Sequence, residues 1–356
     1  MTSQTDRRPV VFVVPGDLHL TDAGLENHLI ACQIVEEVNR LIRPEFVQFI
    51  GDNVQDAEEE QFRLFRRLTA ELTMPHFVLV GDHDHDGSAV PDRFIEHVGD
   101  PYGSLELRGF RFVRLNSQEY RPVGFSEDQL DWLDNEFVSA QSADQRVVLF
   151  QHNYPYKVCE QFFGPGIDRW RQIVDARRPV VIICGHTHYG QTANDGRNVS
   201  IATRSIGDPE GGPAGYLIGF VDGDDLALKY RTAEDGNAIA LITHPREALL
   251  ATNARHIVRE PDEVGVRTWS PEPLARVQFR LDEKGWYRLD QIDAEHWKGP
   301  LPTNHLSKGE HVLDVAAVDQ RGNFVARDRL SFVFDSTGRY TPIPRVHPVV
   351  KTTSFC

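Results

Sequence analysis

The chain has few cysteines, no basic block and no long apolar run, and each scarcity removes a class of protein. Its four cysteines, Cys32, Cys159, Cys184 and Cys356, form no CxxC pair. A disulfide framework or a thiolate zinc site needs closer or more regular spacing. Reduced core or surface thiols are expected instead, with Cys32 and Cys184 buried in apolar stretches. The apolar run Val10–Val14 follows a polar segment and ends before Asp17, too short for a secretory leader or a membrane span. No membrane association is expected, and a cytoplasmic location is. Lys and Arg number 38 against 53 Asp and Glu, a formal net charge of -15 with no Lys- or Arg-rich block. An acidic surface repels a phosphate backbone and argues against general nucleic-acid binding.

At 356 residues the chain is too long for one average domain. With 40% hydrophobic and 26% charged residues it can bury a large core. Up to about residue 185 apolar runs alternate with helical patterns. Ile30, Ile34, Val38 and Leu41 share a helical face that Pro44 closes, and Phe62, Phe65, Leu68 and Leu72 share another. Ser126-Glu127-Asp128-Gln129 reads as a capping box with Leu130, Leu133 and Phe137 on its buried side. Alternation of this kind predicts a sheet covered by helices, with ligands at the carboxyl ends of the strands. After Asn237 about seven alternating segments separated by turns predict a β-sandwich. The expected domains are 1–236, 237–336 and an extended tail over 337–356. Trp269, Trp286 and Trp297 in the sandwich are expected in its core.

Five segments end in metal-binding groups: Asp17-Leu18-His19, Gly51-Asp52-Asn53, Gly81-Asp82-His83-Asp84, Gln151-His152-Asn153 and Gly185-His186-Thr187-His188. Each follows an apolar run read as a buried strand, so each side chain is delivered to one sheet edge. Singly these are weak signals, because a turn with a polar cap explains any one of them. As a set they predict a metal pocket of carboxylates and imidazoles, suited to Mn²⁺, Fe²⁺ or Zn²⁺, with no thiolate.

Their order resembles the calcineurin-like metallophosphoesterase superfamily, whose pattern runs DxH, GD, GNH(D/E), H, GHxH. The resemblance implies an α/β catalytic domain, a four-layer α/β/β/α sandwich, here followed by an all-β domain whose pattern resembles immunoglobulin-like modules. It implies two divalent metals, one held by Asp17, His19 and His188, the other by Asp82, His152 and His186, with Asp52 bridging. A water between the metals would attack phosphorus in line. His83 is placed at the leaving oxygen, with Asp84 or Asp86 accepting its second ring proton. Asn53 and Asn153 are candidate substrate donors, a loop cap being the alternative for Asn153. His85 is expected to be a solvated loop residue. No tyrosine follows Asp52, which argues against a purple Fe³⁺ centre.

Asp82 stands where the family has asparagine. The extra negative charge is expected to disfavour dianionic monoesters and favour monoanionic diesters. The resemblance therefore implies a phosphodiesterase acting on a small phosphate ester, similar to the bacterial cyclic-nucleotide enzymes. A phosphomonoesterase and a non-catalytic scaffold of the same fold are the alternatives. Specificity is expected from loops Thr21–Asn27, Asp84–Asp92, Tyr154–Asp168 and Gly207–Gly215, where Tyr154, Tyr156, Phe162 and Phe163 either stack on substrate or pack on the head. The sandwich is expected to cap the site, mediate a homodimer or stabilise the head.

Overall fold

The computed structural model describes residues 8–87, 90–155, 162–232 and 234–348. Contacts divide the chain into two compact units, and the division falls within one hairpin: Gly219–Lys229 and Glu234–Pro344 form the second unit.

In the first unit β1 (Val10–Pro15) pairs in parallel with β2 (Phe46–Phe49), and β2 with β3 (His76–Val78). All six residues of β1 are buried, as expected of a strand covered on both faces. Between these strands lie α1 (Glu26–Glu37) and α2 (Glu59–Ala70). After α1 the chain widens into a π-turn over Val38–Ile42, so Ile42 is buried where α-helical spacing predicts Leu41. Arg43 ends it at φ 47, and Pro44, with no N–H to donate, cannot continue the helix.

Next come α3 (Asp92–His97), β4 (Gly103–Leu107), β5 (Phe110–Leu115), α4 (Glu127–Ser142) and β6 (Arg146–Gln151). The Ser126 side chain caps α4 by accepting from the Gln129 N–H, the bond its sequence predicts. Then follow α5 (Ile167–Arg177), β7 (Val181–Cys184), β8 (Gln191–Asn194) and β9 (Val199–Ala202). The hairpin of β10 (Gly215–Asp222) and β11 (Asp225–Thr232) closes the first sheet, whose order is β11-β10-β1-β2-β3.

The second sheet runs β8-β9-β7-β6-β5-β4, with one further strand outside β8. That outer strand is Arg345–His347, so part of the expected tail is a paired sheet edge. The two sheets face each other through Phe12 against Phe112 and Phe150, each at 5.7 Å, and Phe46 against Phe112 at 4.8 Å. Helices lie outside: Phe65 of α2 meets Phe49 at 5.2 Å, and α4 and α5 share a core with β5, β6 and β7. The head is the expected four-layer α/β/β/α sandwich.

The second unit is all-β. Its strands β12 (Ile239–His244), β13 (Asp262–Trp269), β14 (Leu274–Leu281), β15 (Trp286–Arg288), β16 (Asp290–Gln291), β17 (His296–Leu301), β18 (Gly309–Asp319) and β19 (Phe324–Phe334) form two sheets, β12-β13-β17-β16 and β15-β14-β18-β19. Residues of both sheets, among them Val266, Trp297, Phe279 and Phe332, make one core, which makes this a sandwich. Trp269 and Trp297 are buried, whereas Trp286 on the short edge strand β15 is exposed. Cys32 is also exposed, on the outer face of α1, because burial there follows Ala31, Ile34 and Val35; Cys184 is buried as expected. Cys159, Cys356 and Tyr156 lie outside the described residues. No helix among the described residues is long and apolar enough to cross a membrane.

Candidate metal centre

The parallel pairing of β1, β2 and β3, and of β6 with β7, points their carboxyl ends to one edge of each sheet. Asp17, Asp52 and Asp82 follow the first three strands, and His152 and His186 follow the other two. Counting His19 and His188 as well, five of the seven candidate donors take a left-handed backbone: Asp17 (φ 26), His19 (46), Asp52 (50), His186 (68) and His188 (58). Such conformations cost about 1 kcal/mol or more each and persist where surroundings impose them, often at functional sites.

The donors form two overlapping groups. Asp82 Oδ1 lies 3.0 Å from His152 Nε2 and 2.9 Å from His186 Nδ1, and Asp52 Oδ2 lies 3.3 Å from His152 Nε2. On the other side His19 Nε2 and His188 Nε2 are 3.1 Å apart, with Asp52 Oδ2 at 3.7 Å from His19 Nε2. Asp17, Asp52 and His188 bring donor atoms within 4.8 Å of one another. Metal–nitrogen bonds of about 2.0–2.1 Å at octahedral to tetrahedral angles put neighbouring donors roughly 2.8–3.4 Å apart, which the spacings of 2.9–3.3 Å around Asp82, His152 and His186 and of 3.1 Å between His19 and His188 fit. Among the described residues Asp17 Oδ2 is buried with no hydrogen-bond partner, while Oδ1 accepts from the His186 N–H at 2.9 Å. An orphaned carboxylate oxygen aimed into a cluster of imidazoles is the donor a cation would satisfy.

Electrostatics agree with that demand. Burial pushes the Asp17 carboxyl up to about 6 and the His19 imidazole down to about 4. Burial also opposes ionisation of Asp82, but hydrogen bonds with His152 and His186 override it and hold the carboxyl well below its usual range. Cations at this centre would relieve the buried negative charge directly.

The ring nitrogens pointing away from the cluster are fixed by neighbours, as ligating imidazoles require. His152 Nδ1 donates to Ile50 O at 2.9 Å, and His19 Nδ1 to Gln55 Oε1 at 3.0 Å. Asp208 Oδ2 lies 3.6 Å from His188 Nδ1. Two glycines permit this close assembly. A Cβ on Gly51 would stand 2.4 Å from His152 Nδ1, and one on Gly81 would stand 2.2 Å from Asp52 Oδ1. The glycine opening one block therefore makes room for the donor of another.

Several sequence expectations need correction. His83 does not hand its ring proton to Asp84: its Nδ1 lies 2.8 Å from Gln55 O, and Asp84 is occupied elsewhere. Asp84 is buried and accepts from the N–H groups of Asn53, Val54 and Gly81, tying the second block to the third. Burial and the Asp52 charge push its carboxyl up to about 7. Asn53 is no substrate donor, because it is wholly buried and its amide donates to Leu79 O and Asp84 Oδ2. Asn153 is likewise buried, its Oδ1 accepting from Ser117 Oγ and Gln118 Nε2. His85 is buried rather than solvated; Gly87, at φ 92, turns the chain so that its N–H donates to His85 Nδ1.

Tyr154 and Phe162 pack in the core beneath α4 and α5, whereas Phe163 is exposed. Gln55 is the residue that sequence reading misses. It stands three places beyond Asp52 and bonds both His19 and His83, a role no residue-type pattern announces. Arg121 is another: its Nη2 donates to His85 O at 3.1 Å, bracing the loop that carries His83.

Residues 10–190 match the family model of the calcineurin-like phosphoesterases. A probable glycerophosphodiester phosphodiesterase, GpdQ, from Arcobacter nitrofigilis is 25% identical over 201 residues, 50% of this chain and 72% of that protein. The serine/threonine-protein phosphatase CPPED1 of Pongo abelii is 28% identical over 138 residues, 34% of this chain and 43% of the relative. Among solved structures, a dimetal phosphatase from Danio rerio has a TM-score of 0.54 at 16% identity, covering 63% of this chain and 97% of that one, a likeness of fold. The model match and the relatives agree with the order of the five blocks: this chain belongs to the calcineurin-like phosphoesterases.

Proposed function

We propose that the centre hydrolyses phosphoric diesters, with two divalent ions drawn from Mn²⁺, Fe²⁺ and Zn²⁺. The observation carrying the two-ion centre is Asp52 Oδ2, 3.3 Å from His152 Nε2 and 3.7 Å from His19 Nε2, between the two donor groups. Asp17, His19 and His188 would hold one ion and Asp82, His152 and His186 the other, with Asp52 placed to serve both. When bound, the pair supplies Lewis acidity toward phosphoryl oxygens and a water acidic enough to attack at neutral pH.

His83 commits Nδ1 to Gln55 O and keeps Nε2 for the leaving oxygen, where it holds or moves a proton. Asp84 acts on the fold of the centre through the backbone groups it accepts from. The diester preference rests on charge. With two divalent ions bound, the carboxylates of Asp17, Asp52 and Asp82 would offset most of their charge, so a singly charged diester would be admitted more readily than a dianion. Asp208, close to His188, adds a further negative group. The glycerophosphodiester phosphodiesterase among the relatives supports the same choice.

The test is a panel of bis(p-nitrophenyl) phosphate, p-nitrophenyl phosphate and cyclic nucleotides, assayed on the full chain loaded with Mn²⁺. A kcat/KM at least tenfold higher on the diester is expected. Equal or reversed values would make it a phosphomonoesterase, and two bound metals without turnover a binding scaffold.

A further inference from the structure

A cavity of about 450 Å³ opens beside β3, lined by Phe65, Arg66, His76, Phe77, His97 and Arg114 among others. It is separate from the metal centre. None of its lining residues is a metal donor, and β3 places His76–Val78 at the cavity before the chain reaches the turn at Gly81.

Arg114 projects from β5 with its guanidinium 4.8 Å from the centroid of the Phe77 ring. Its Nε is buried without a hydrogen-bond partner among the described residues. Among the described residues no carboxylate pairs with it; Asp100 acts on it only at longer range. The absent side chain of Gly103 leaves the room it occupies, since a Cβ there would stand 2.8 Å from Arg114 Nη2. His97 presents a second unanswered group. Its side chain is 6% exposed, Nε2 is paired with Glu59 Oε2 at 2.7 Å, and Nδ1 is buried with no partner among the described residues. Arg66 and His76 stand exposed at the rim. In a chain of net charge -15, Arg66 and Arg114 bring two guanidinium groups to one concavity lined by phenylalanines, against one lining carboxylate, Asp100. A buried guanidinium N–H without a partner is costly unless a ligand answers it.

We propose that this cavity binds a small molecule bearing an oxyanion, phosphate or carboxylate, on a flat apolar body. Arg114 meets the anion with its planar fork of donors, Arg66 reaches it from the rim, and the apolar body lies on Phe77. Its volume falls within the range of small-molecule sites, about 300–1,000 Å³.

Calorimetric titration of the metal-loaded full chain with phenylphosphonate tests this, because that probe joins a dianion to a ring and is not hydrolysed. Two sites per chain are expected, one at the metals and one in the cavity. Arg114→Leu is expected to abolish the cavity site or weaken it tenfold or more. Arg66→Gln, an exposed change, should weaken the same site threefold or more with melting temperature unchanged, and decides the matter if Arg114→Leu fails to fold. Parallel titrations with inorganic phosphate and with phthalate show which anion is preferred. No binding, or binding insensitive to both substitutions, overturns the proposal. Neither result bears on ester turnover, which tests the diesterase reading independently.

Discussion

The backbone N–H of His83 donates to Asp52 Oδ1 at 2.9 Å, while the second oxygen of that carboxylate lies 3.3 Å from His152 Nε2. One side chain thus sets both the junction of the two donor groups and the position of the imidazole beside it. Asp52→Asn is expected to lose bound metal and to cut kcat by roughly 10²–10³-fold, whereas His83→Ala keeps both metals and loses roughly 10²–10⁴-fold in kcat. Metal content by mass spectrometry, measured alongside kcat, separates the two. Loss of metal in His83→Ala would remove its assignment to the leaving group.

Asp82 Oδ1 contacts both His152 and His186, so an amide in its place keeps one oxygen donor and removes one charge. Asp82→Asn is expected to raise monoesterase relative to diesterase kcat/KM by about fivefold or more and to weaken retention of one metal. An unchanged ratio of the two activities would show that this charge does not set ester preference.

A methyl group on residue 81 would stand 2.2 Å from Asp52 Oδ1 and 2.3 Å from the Asp52 backbone nitrogen. Backbone cannot yield as a flexible side chain does, so the turn itself must shift. Gly81→Ala is expected to reduce metal stoichiometry below two and to lower kcat/KM by about 10²-fold, since a misplacement of about 1 Å is enough for that. Retention of two metals with full activity would show that the close approach is dispensable.

In the second unit His244 sits between Asp225 Oδ1 and Asp262 Oδ1, each at 2.8 Å. Burial alone would lower its pKa, but the two carboxylates overcome this and hold it up to about 10. The folded value exceeds that of an unfolded histidine, about 6.5, so the stability this group adds is full below that pH and is lost as pH climbs through 10. Charge-assisted bonds worth about 1.5–3 kcal/mol give His244→Gln an expected loss of roughly 3–8 °C in Tm at about pH 6. Near pH 10.5 the variant and the parent should melt together. Scanning calorimetry at both pH values checks the sign.

Much of this site is legible in the order of residues along the chain. Apolar runs ending at Asp17, Asp52, Asp82, His152 and His186 identify buried strands by composition and donors by residue type, and both are local properties. The same holds for the Ser126 cap of α4. Short strands escape notice: β4 and β5 carry Glu106, Arg111 and Arg114 among their apolar residues, which blurs the alternation. The π-turn after α1 escapes too, because the inserted residue replaces Leu41 by Ile42 without altering composition.

Asp84, Asn53 and Gln55 mark the boundary between the two kinds of knowledge. All three are polar residues beside metal-binding donors, and by type alone each is a reasonable partner for substrate or for His83. Tertiary packing decides otherwise, because the turn after β2 leaves backbone N–H groups that must find a buried acceptor, and Asp84 supplies it. With Asp84 so engaged, the second nitrogen of His83 turns to Gln55 O. The sequence by itself determined which chemical groups the centre holds and which strands deliver them, since strand and donor are neighbours in the chain. Only the folded structure decided which polar groups face the cluster and which close its turns, because those bonds join blocks about thirty residues apart in the chain.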